Sequence, residues 1–268
     1  SQWQAVPGSP LALDAVADDL RGGVLVSNYA GVSRYDGTNW SSLPALALGG
    51  ASVLLALPDG RVLLGNPGGP CFLWNGTWQQ MPWAPAAVLL HPDGRVIGTN
   101  SFGLPVTGRV AAYDGSTWTD LDPTQQLAAT PQALAVLRDG RIVVGGAFSG
   151  GVAVRNGTTW QTLGAGFNGP VERFTVLADG TLVAAGSFTQ SGTTALAGIA
   201  QWNGSAWIAL PGAPAAPRAI AALPNGDLVG AMDAFTRQAR KPRGGIARGI
   251  HRHLGRGLRC LVQARGLG

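Results

Sequence analysis

"ALAVLRDGRIVVGGAFSGGVAVRNGTTWQTL", residues 133–163, breaks at two dipeptides, Asp139-Gly140 and Asn156-Gly157. Between them lie short apolar segments, too short for helices and rich in β-branched residues. Asp-Gly and Asn-Gly supply the positive φ angles of tight hairpin turns. The stretch therefore predicts four antiparallel strands: a, Ala133–Leu137; b, Arg141–Ala147; c, Val152–Arg155; and d, Thr159–Leu163.

Both turn signals recur. The a–b signal reads "LPDGRVLLG" (57–65), "HPDGRVIG" (91–98), "RDGRIVVGG" (138–146), "LADGTLVAAG" (177–186) and "LPNGDLVG" (223–230), with a weaker copy, "DDLRGGVLVSN" (18–28). The c–d signal reads "YDGTNW" (35–40), "WNGTW" (74–78), "YDGSTW" (113–118), "RNGTTW" (155–160) and "WNGSAW" (202–207). Its Trp residues, Trp40, Trp78, Trp118, Trp160 and Trp207, are 38, 40, 42 and 47 residues apart. A period near 40 residues with four strands per unit is that of a β-propeller blade. Helical solenoids would need long 3.6-residue periodicity, β-helices repeat over shorter spans, and a jelly roll does not repeat its sequence.

Full units run over 11–43, 52–81, 86–121, 133–163 and 171–210. A sixth begins at Pro217 and lacks strand d. The chain opens with "SQWQAVPG", where Trp3 stands as Trp does in a d strand. The expected fold is thus all-β: a propeller of about 40-residue four-stranded blades, six in number, closed by the Trp3 strand. A slice of a longer array is the rival arrangement.

Composition agrees. With 41 Gly, 18 Pro, 46% hydrophobic and 12% charged residues, the chain has a core's worth of apolar material cut by many turns, and it is not of disordered type. No apolar run is long enough for a membrane helix. The net charge of +5 is unevenly spread: residues 1–236 carry 10 Arg and 14 acids, and residues 237–268 carry eight Arg, one Lys and no acid. A mildly acidic body thus bears a basic tail. The body has no basic stripe with interleaved aromatics, so nucleic acid is not an expected partner.

The pattern "VVGG … VAVRNGTTWQTL" is similar to the kelch repeat. Gly145-Gly146 stands as the di-glycine after strand b, and Tyr35 with Trp40, and Tyr113 with Trp118, stand as the aromatic pair. "GSFTQSGTTALAGIAQWNGSAWIAL" (186–210) resembles repeats of secreted bacterial propellers and of fungal cortical polarity-marker proteins. The resemblance covers residues 3 to about 248 and implies an extracellular or cell-surface binding module. The preference for Arg over Lys and the high Ala content point to a GC-rich, bacterial source.

Unit six aligns on unit five with an offset of 47: Phe188 on Phe235, Gly198-Ile199-Ala200 on Gly245-Ile246-Ala247, and Gln201 on Arg248. Then the pattern stops, because Trp202 and Trp207 meet Gly249 and Leu254. The expected division is therefore a propeller over 1–248 and an off-pattern basic tail over 249–268. A reading-frame shift just after Arg248 is the favoured origin, since codons available to His251–Gly255, read one base later, permit Thr-Ala-Thr-Trp. A solvated native tail, or one that binds nucleic acid or a membrane surface, is the other reading.

The chain offers little catalytic chemistry. A glycosidase needs two carboxylates across a cleft. The chain holds one Glu, Glu172, and most Asp residues fall in the hairpin turns: Asp36, Asp59, Asp93, Asp114, Asp139 and Asp179. The "DG..W" string differs in spacing from the sialidase Asp-box, itself a structural hairpin, and no Arg triad with Tyr and Glu assembles. His91, the one His of the body, directly precedes a Pro-Asp-Gly turn and is expected to face solvent. No nucleophile elbow appears. Neither catalytic residues, a metal site nor a cofactor is expected. Cys71 is expected to be a buried structural thiol, and the Asn-X-Ser/Thr strings at Asn39, Asn75, Asn156 and Asn203 are read chiefly as turns.

Propellers bind ligands with the b–c loops and the connections between blades. The polar candidates there are Gln125, Gln126, Asn168, Glu172, Arg173, Thr189 and Gln190. The recurrence of Phe102, Phe148, Phe188 and Phe235 after strand b is read as packing. The expectation is a monomeric, non-catalytic surface module that binds a glycan or a protein. A polysaccharide hydrolase or lyase, and a purely structural repeat segment, are the alternatives.

Overall fold

The computed structural model describes residues 10, 14–46, 51, 53–66, 69–81, 85–100, 109–210, 219–222, 228–231 and 261–264. The chain divides into two units, residues 1–131 and 132–268. Among the described residues every regular element is a β-strand.

The first unit holds three antiparallel four-stranded meanders. β1 (Ala15–Asp18), β2 (Val24–Asn28), β3 (Gly31–Tyr35) and β4 (Trp40–Ser42) form one. β5 (Val53–Ala56), β6 (Val62–Gly65), β7 (Cys71–Trp74) and β8 (Trp78–Met81) form the next. β9 (Pro85–Leu90), β10 (Val96–Asn100), β11 (Val110–Tyr113) and β12 (Trp118–Asp120) form the third.

In the second unit, β13 (Ala133–Val136), β14 (Ile142–Gly145), β15 (Val152–Asn156) and β16 (Thr159–Thr162) make up the sheet of the opening quotation. The following sheet consists of β17 (Val171–Val176), β18 (Leu182–Gly186), β21 (Ile199–Trp202) and β22 (Trp207–Ala209). Its b–c loop folds into a ribbon of β19 (Gln190–Ser191) and β20 (Thr194–Ala195). A last sheet contains β23 (Ala219–Ala222), β24 (Leu228–Ala231) and β25 (Leu261–Ala264). β25 comes from the basic tail, where the repeat assigns no strand, and pairs antiparallel along β24 from Leu228↔Ala264 to Ala231↔Leu261. The expected c segment at 245–248, the Trp3 strand, and Phe102 and Phe235 lie outside the described residues.

Burial explains the strand compositions. The b strands are continuous apolar runs because both of their faces are covered: β6, β14 and β18 are buried at every position. Sheet packs on sheet within each unit. Leu25 and Val32 meet Val62 and Leu64, and Val53, Leu63 and Leu73 meet Val96 and Tyr113. In the second unit Val143 and Val154 meet Val171, Leu182 and Ala184, and Val183 and Ile199 meet Leu228. Gly145, the first of the di-glycine pair, owes its identity to this packing. A Cβ there would lie 2.7 Å from Val171 Cγ1 and 2.9 Å from Phe174 Cε2. The d strands are short outer edges with mostly half-buried or exposed residues, a form that limits edge-to-edge pairing.

The c–d signal is a cross-strand pair closed by a turn. Tyr35↔Trp40, Trp74↔Trp78, Tyr113↔Trp118, Arg155↔Trp160 and Trp202↔Trp207 are directly opposed. Ring centroids lie 5.0 Å apart in Tyr35–Trp40 and Tyr113–Trp118, and 5.3 Å apart in Trp74–Trp78 and Trp202–Trp207. The Arg155 guanidinium lies 5.7 Å from the Trp160 ring centroid, so a cation replaces the ring in that copy.

The turns differ from expectation in one respect. At the a–b turns of Gly60, Gly94, Gly140 and Gly180 the Gly adopts positive φ and the preceding Asp does not, whereas in the weaker first copy both Leu20 and Gly22 do. Leu57 N–H bonds to Arg61 O, and Gly60 N–H to Leu57 O, both at 2.9 Å. This is the three-residue loop with a left-handed Gly, not a two-residue turn. The Asp is freed to act as an acceptor. In Asp59, Asp93 and Asp139, Oδ1 takes the N–H of the Arg two residues on, and Oδ2 takes its Nε at 2.7–2.8 Å.

Candidate functional site

Antiparallel meanders put the a–b and c–d hairpins at one end of each sheet, and the b–c loops and inter-sheet connections at the other. The hairpin end is committed to structure. Asp114 Oδ1 accepts from Ser116 N–H and Oγ–H and from Thr117 N–H, and Asn203 Oδ1 makes the same set with Ser205 and Ala206. Asp36 accepts equivalent bonds, and the Asn39 N–H, then the Thr38 hydroxyl and N–H, hold its carboxyl down at about 2. The Thr117 N–H leads the donors that lower Asp114, and the Arg95 side chain leads those that lower Asp93. Carboxylates held ionised in this way are poor general acids.

His91 departs from expectation: it is buried, 9% exposed, not solvent-facing. Its Nδ1 lies 2.7 Å from Asp93 Oδ1, and the ring folds back under its own turn. Cys71 is buried as expected, and burial pushes its thiol up to about 12.

The loop end contains the candidates. In the first unit, Gln125 and Gln126 lie in the exposed connection after β12. That connection is wound on Asp122, which is fully buried and accepts the Gln126 N–H at 2.8 Å and the Leu127 N–H at 3.4 Å. Burial pushes the Asp122 carboxyl up, against those N–H donors. Gln125 takes the left-handed region at φ 50°, and Gln126 Nε2 donates to Thr124 Oγ1.

In the second unit, Asn168, Thr189 and Gln190 come together. Asn168 Oδ1 accepts the N–H groups of Thr189 (2.9 Å) and Gln190 (3.0 Å), and its Nδ2 donates to Thr189 Oγ1 (2.9 Å). The connection between two sheets is thereby clamped to the b–c loop of the second. Glu172 is the extra residue of a bulge in β17 and accepts the Ser187 hydroxyl at 2.8 Å. Arg173 Nη1 donates to the Glu172 carbonyl, so this pair sits beside the cluster with its own partners.

Ser149, Gly150, Thr162, Ala165, Phe167, Asn168, Gln190 and Gly192 line an open depression of about 440 Å³. Of these, Asn168 and Gln190 are legible as candidates from the sequence, and the rest are not. Their signal is the Gly-rich character of "FSGG" (148–151) and "GAGFNG" (164–169), the two loops that flank β15 and β16. Below them Phe167 and Phe188 stack with centroids 4.1 Å apart, and Phe188 is 1% exposed, a packing residue as expected.

No protein-family model matches the chain, and no curated protein matches it in sequence. Solved structures do resemble it. The extracellular domain of a hybrid two-component system from B. thetaiotaomicron superposes with a TM-score of 0.59 at 15% identity, over 82% of this chain and 32% of that one. A catalytically inactive virginiamycin B lyase from Staphylococcus aureus, solved with quinupristin, gives 0.57 at 17% identity, over 85% and 80%. The WD40 β-propeller domain of Doa1 gives 0.55 at 15% identity, over 81% and 74%. The fold is that of a β-propeller.

Proposed function

We propose that the chain is a non-catalytic, extracellular or cell-surface propeller that binds a glycan or a protein through its b–c loop face. The observation that carries this reading is the Asn168–Thr189–Gln190 clamp: exposed amide and hydroxyl groups held in fixed positions beside a concavity, at the end of the sheets not consumed by turn chemistry. The polar residues of the ligand face are Asn168, Glu172, Arg173, Thr189 and Gln190 in the second unit and Gln125 and Gln126 in the first. The propeller is kelch-like and six-bladed, closed by the Trp3 strand, and spans residues 1–248. Residues 249–268 are a tail produced by a shifted frame, which resequencing the coding DNA tests. The protein acts as a monomer, and its source is bacterial. The extracellular domain among the similar structures supports the location.

A lyase on this scaffold is the second reading, favoured by the virginiamycin B lyase likeness. Against it, the carboxylates of the hairpin end are held ionised by their own turns, and His91 is buried against Asp93. Screening the full chain against a glycan array and a polysaccharide turnover panel decides between them. Saturable binding without product supports the module; product formed without added metal or cofactor makes it an enzyme.

A further inference from the structure

Resting on the loop-face reading, the lining of the second unit's depression carries the class of ligand. We propose that Ser149, Gly150, Thr162, Asn168, Gln190 and Gly192 form a subsite for a neutral oligosaccharide. No ionisable side chain lines the depression. An anionic sugar would find no counter-charge there, and a basic peptide no carboxylate. Glu172, which accepts from Ser187, and Arg173, which donates to a main-chain carbonyl, are not among its lining residues.

The groups present are those that serve sugar hydroxyls, which need donors and acceptors together. The Ser149 and Thr162 hydroxyls take no partner among the described residues. Asn168 spends both acceptor sites and one N–H on the Thr189–Gln190 loop, which leaves one N–H on a fixed amide. Gln190 Nε2 bonds to Gly192 O and its main-chain carbonyl accepts the Asn168 N–H, while its side-chain Oε1 takes no partner among the described residues. Fixing such groups in advance lowers the ordering cost of binding.

The concavity itself is made by glycine. Gly166 has φ +67, and a Cβ there would lie 2.7 Å from both Gly150 O and Thr162 Cγ2; at Gly192 a Cβ would lie 3.1 Å from Ala165 Cβ. Side chains at these points would crowd the hollow. Its volume, about 440 Å³, falls at the lower end of the ~300–1,000 Å³ of small-molecule sites, enough for roughly one or two sugar rings.

The test is calorimetric titration of the full chain with neutral cello-, malto-, manno- and xylo-oligosaccharides and with uronate oligosaccharides of matched length. Gln190→Ala and Thr162→Ala are run in parallel, with melting curves. A neutral sugar is expected to saturate, and each variant to weaken it about 5–10-fold with an unchanged melt, the loss of roughly one hydrogen bond. Uronates are expected to bind at least about tenfold more weakly. If uronates bind better and the variants weaken them, the neutral assignment is overturned and the loop-face reading stands. If a sugar binds and neither variant alters its affinity, both fail. If no sugar binds, the glycan class is overturned and only a protein ligand remains for that face.

Discussion

Trp207→Ala separates a structural motif from a ligand signature most sharply, because the five copies of the c–d string differ in burial. Trp207 is 1% exposed, its Nε1 donates to Leu163 O at 3.0 Å, and its ring lies 4.7 Å from Phe167 and 5.3 Å from Trp202. Truncating a buried Trp costs about 3–5 kcal/mol. The Leu163 carbonyl keeps the Gly166 N–H as a donor at 3.3 Å, so the whole stays at about 3–5 kcal/mol. At about 2–4 °C per kcal/mol for a chain of this size, the melt falls by roughly 6–20 °C. Trp40, half-buried in the same position of the first sheet, supports a smaller loss, about 1–2 kcal/mol. Trp118, also half-buried, belongs with it. Thermal and urea unfolding of the three variants by circular dichroism gives the ranking, with Trp207 far ahead. Equal, small losses in all three, combined with lost ligand binding, would refute the structural reading and make the repeated Trp a contact residue.

Other outcomes follow from the same geometry. Asp36, Asp93, Asp114 and Asp179 are lowered in the fold, chiefly by the donors of their own turns. Their stabilisation is complete above the unfolded value of about 4 and is lost as pH falls through the lowered folded values. The melting temperature should therefore be flat from pH 7 to about 5 and drop below about 4. Asp122, raised by burial, works in the opposite sense: its ionised form at pH 7 carries a penalty that protonation relieves, so Asp122→Asn should cost less at pH 7 than at pH 4. Asp114→Asn should keep the turn, because Asn203 already fills the same acceptor role, but melt below wild type at pH 7 and converge on it as pH drops below about 4; an equal gap at every pH would show that the charge contributes nothing. In a Cys260→Ser background, Cys71 should resist maleimide in the native state at pH 8 and react once unfolded, and native-state labelling would contradict its burial. Gly204→Ala, at φ +100 with open space around it, should cost about 1–2 kcal/mol from backbone strain alone, read by urea unfolding.

The strands were legible because Asp-Gly and Asn-Gly mark the hairpins and because b strands buried on both faces read as apolar runs. "RIVVGG" announces β14, expected over Arg141–Ala147 and found over the shorter Ile142–Gly145. The turn class was not legible, since a three-residue loop with one left-handed Gly and a two-residue turn share the same dipeptide. Nor was the burial of His91, which depends on its carboxylate partner folding back within one turn. The site was half legible. Topology nominated Asn168 and Gln190 by their end of the sheet. That Asn168 clamps Thr189, 21 residues on, and that "FSGG" and "GAGFNG" share one hollow with Gln190, depends on side-chain reach and loop shape that no local pattern encodes.

The central claim is that the hairpin repeat is scaffold and the loop end is the ligand face. One side-by-side measurement tests it: a glycan array with product analysis, together with melting curves, for the full chain, Asn168→Ala and Trp118→Ala. Binding without product is expected in the full chain, and lost binding with a small change in melting for Asn168→Ala. Lowered melting with retained affinity is expected for Trp118→Ala. The reverse pattern, or turnover without added metal or cofactor, would contradict it.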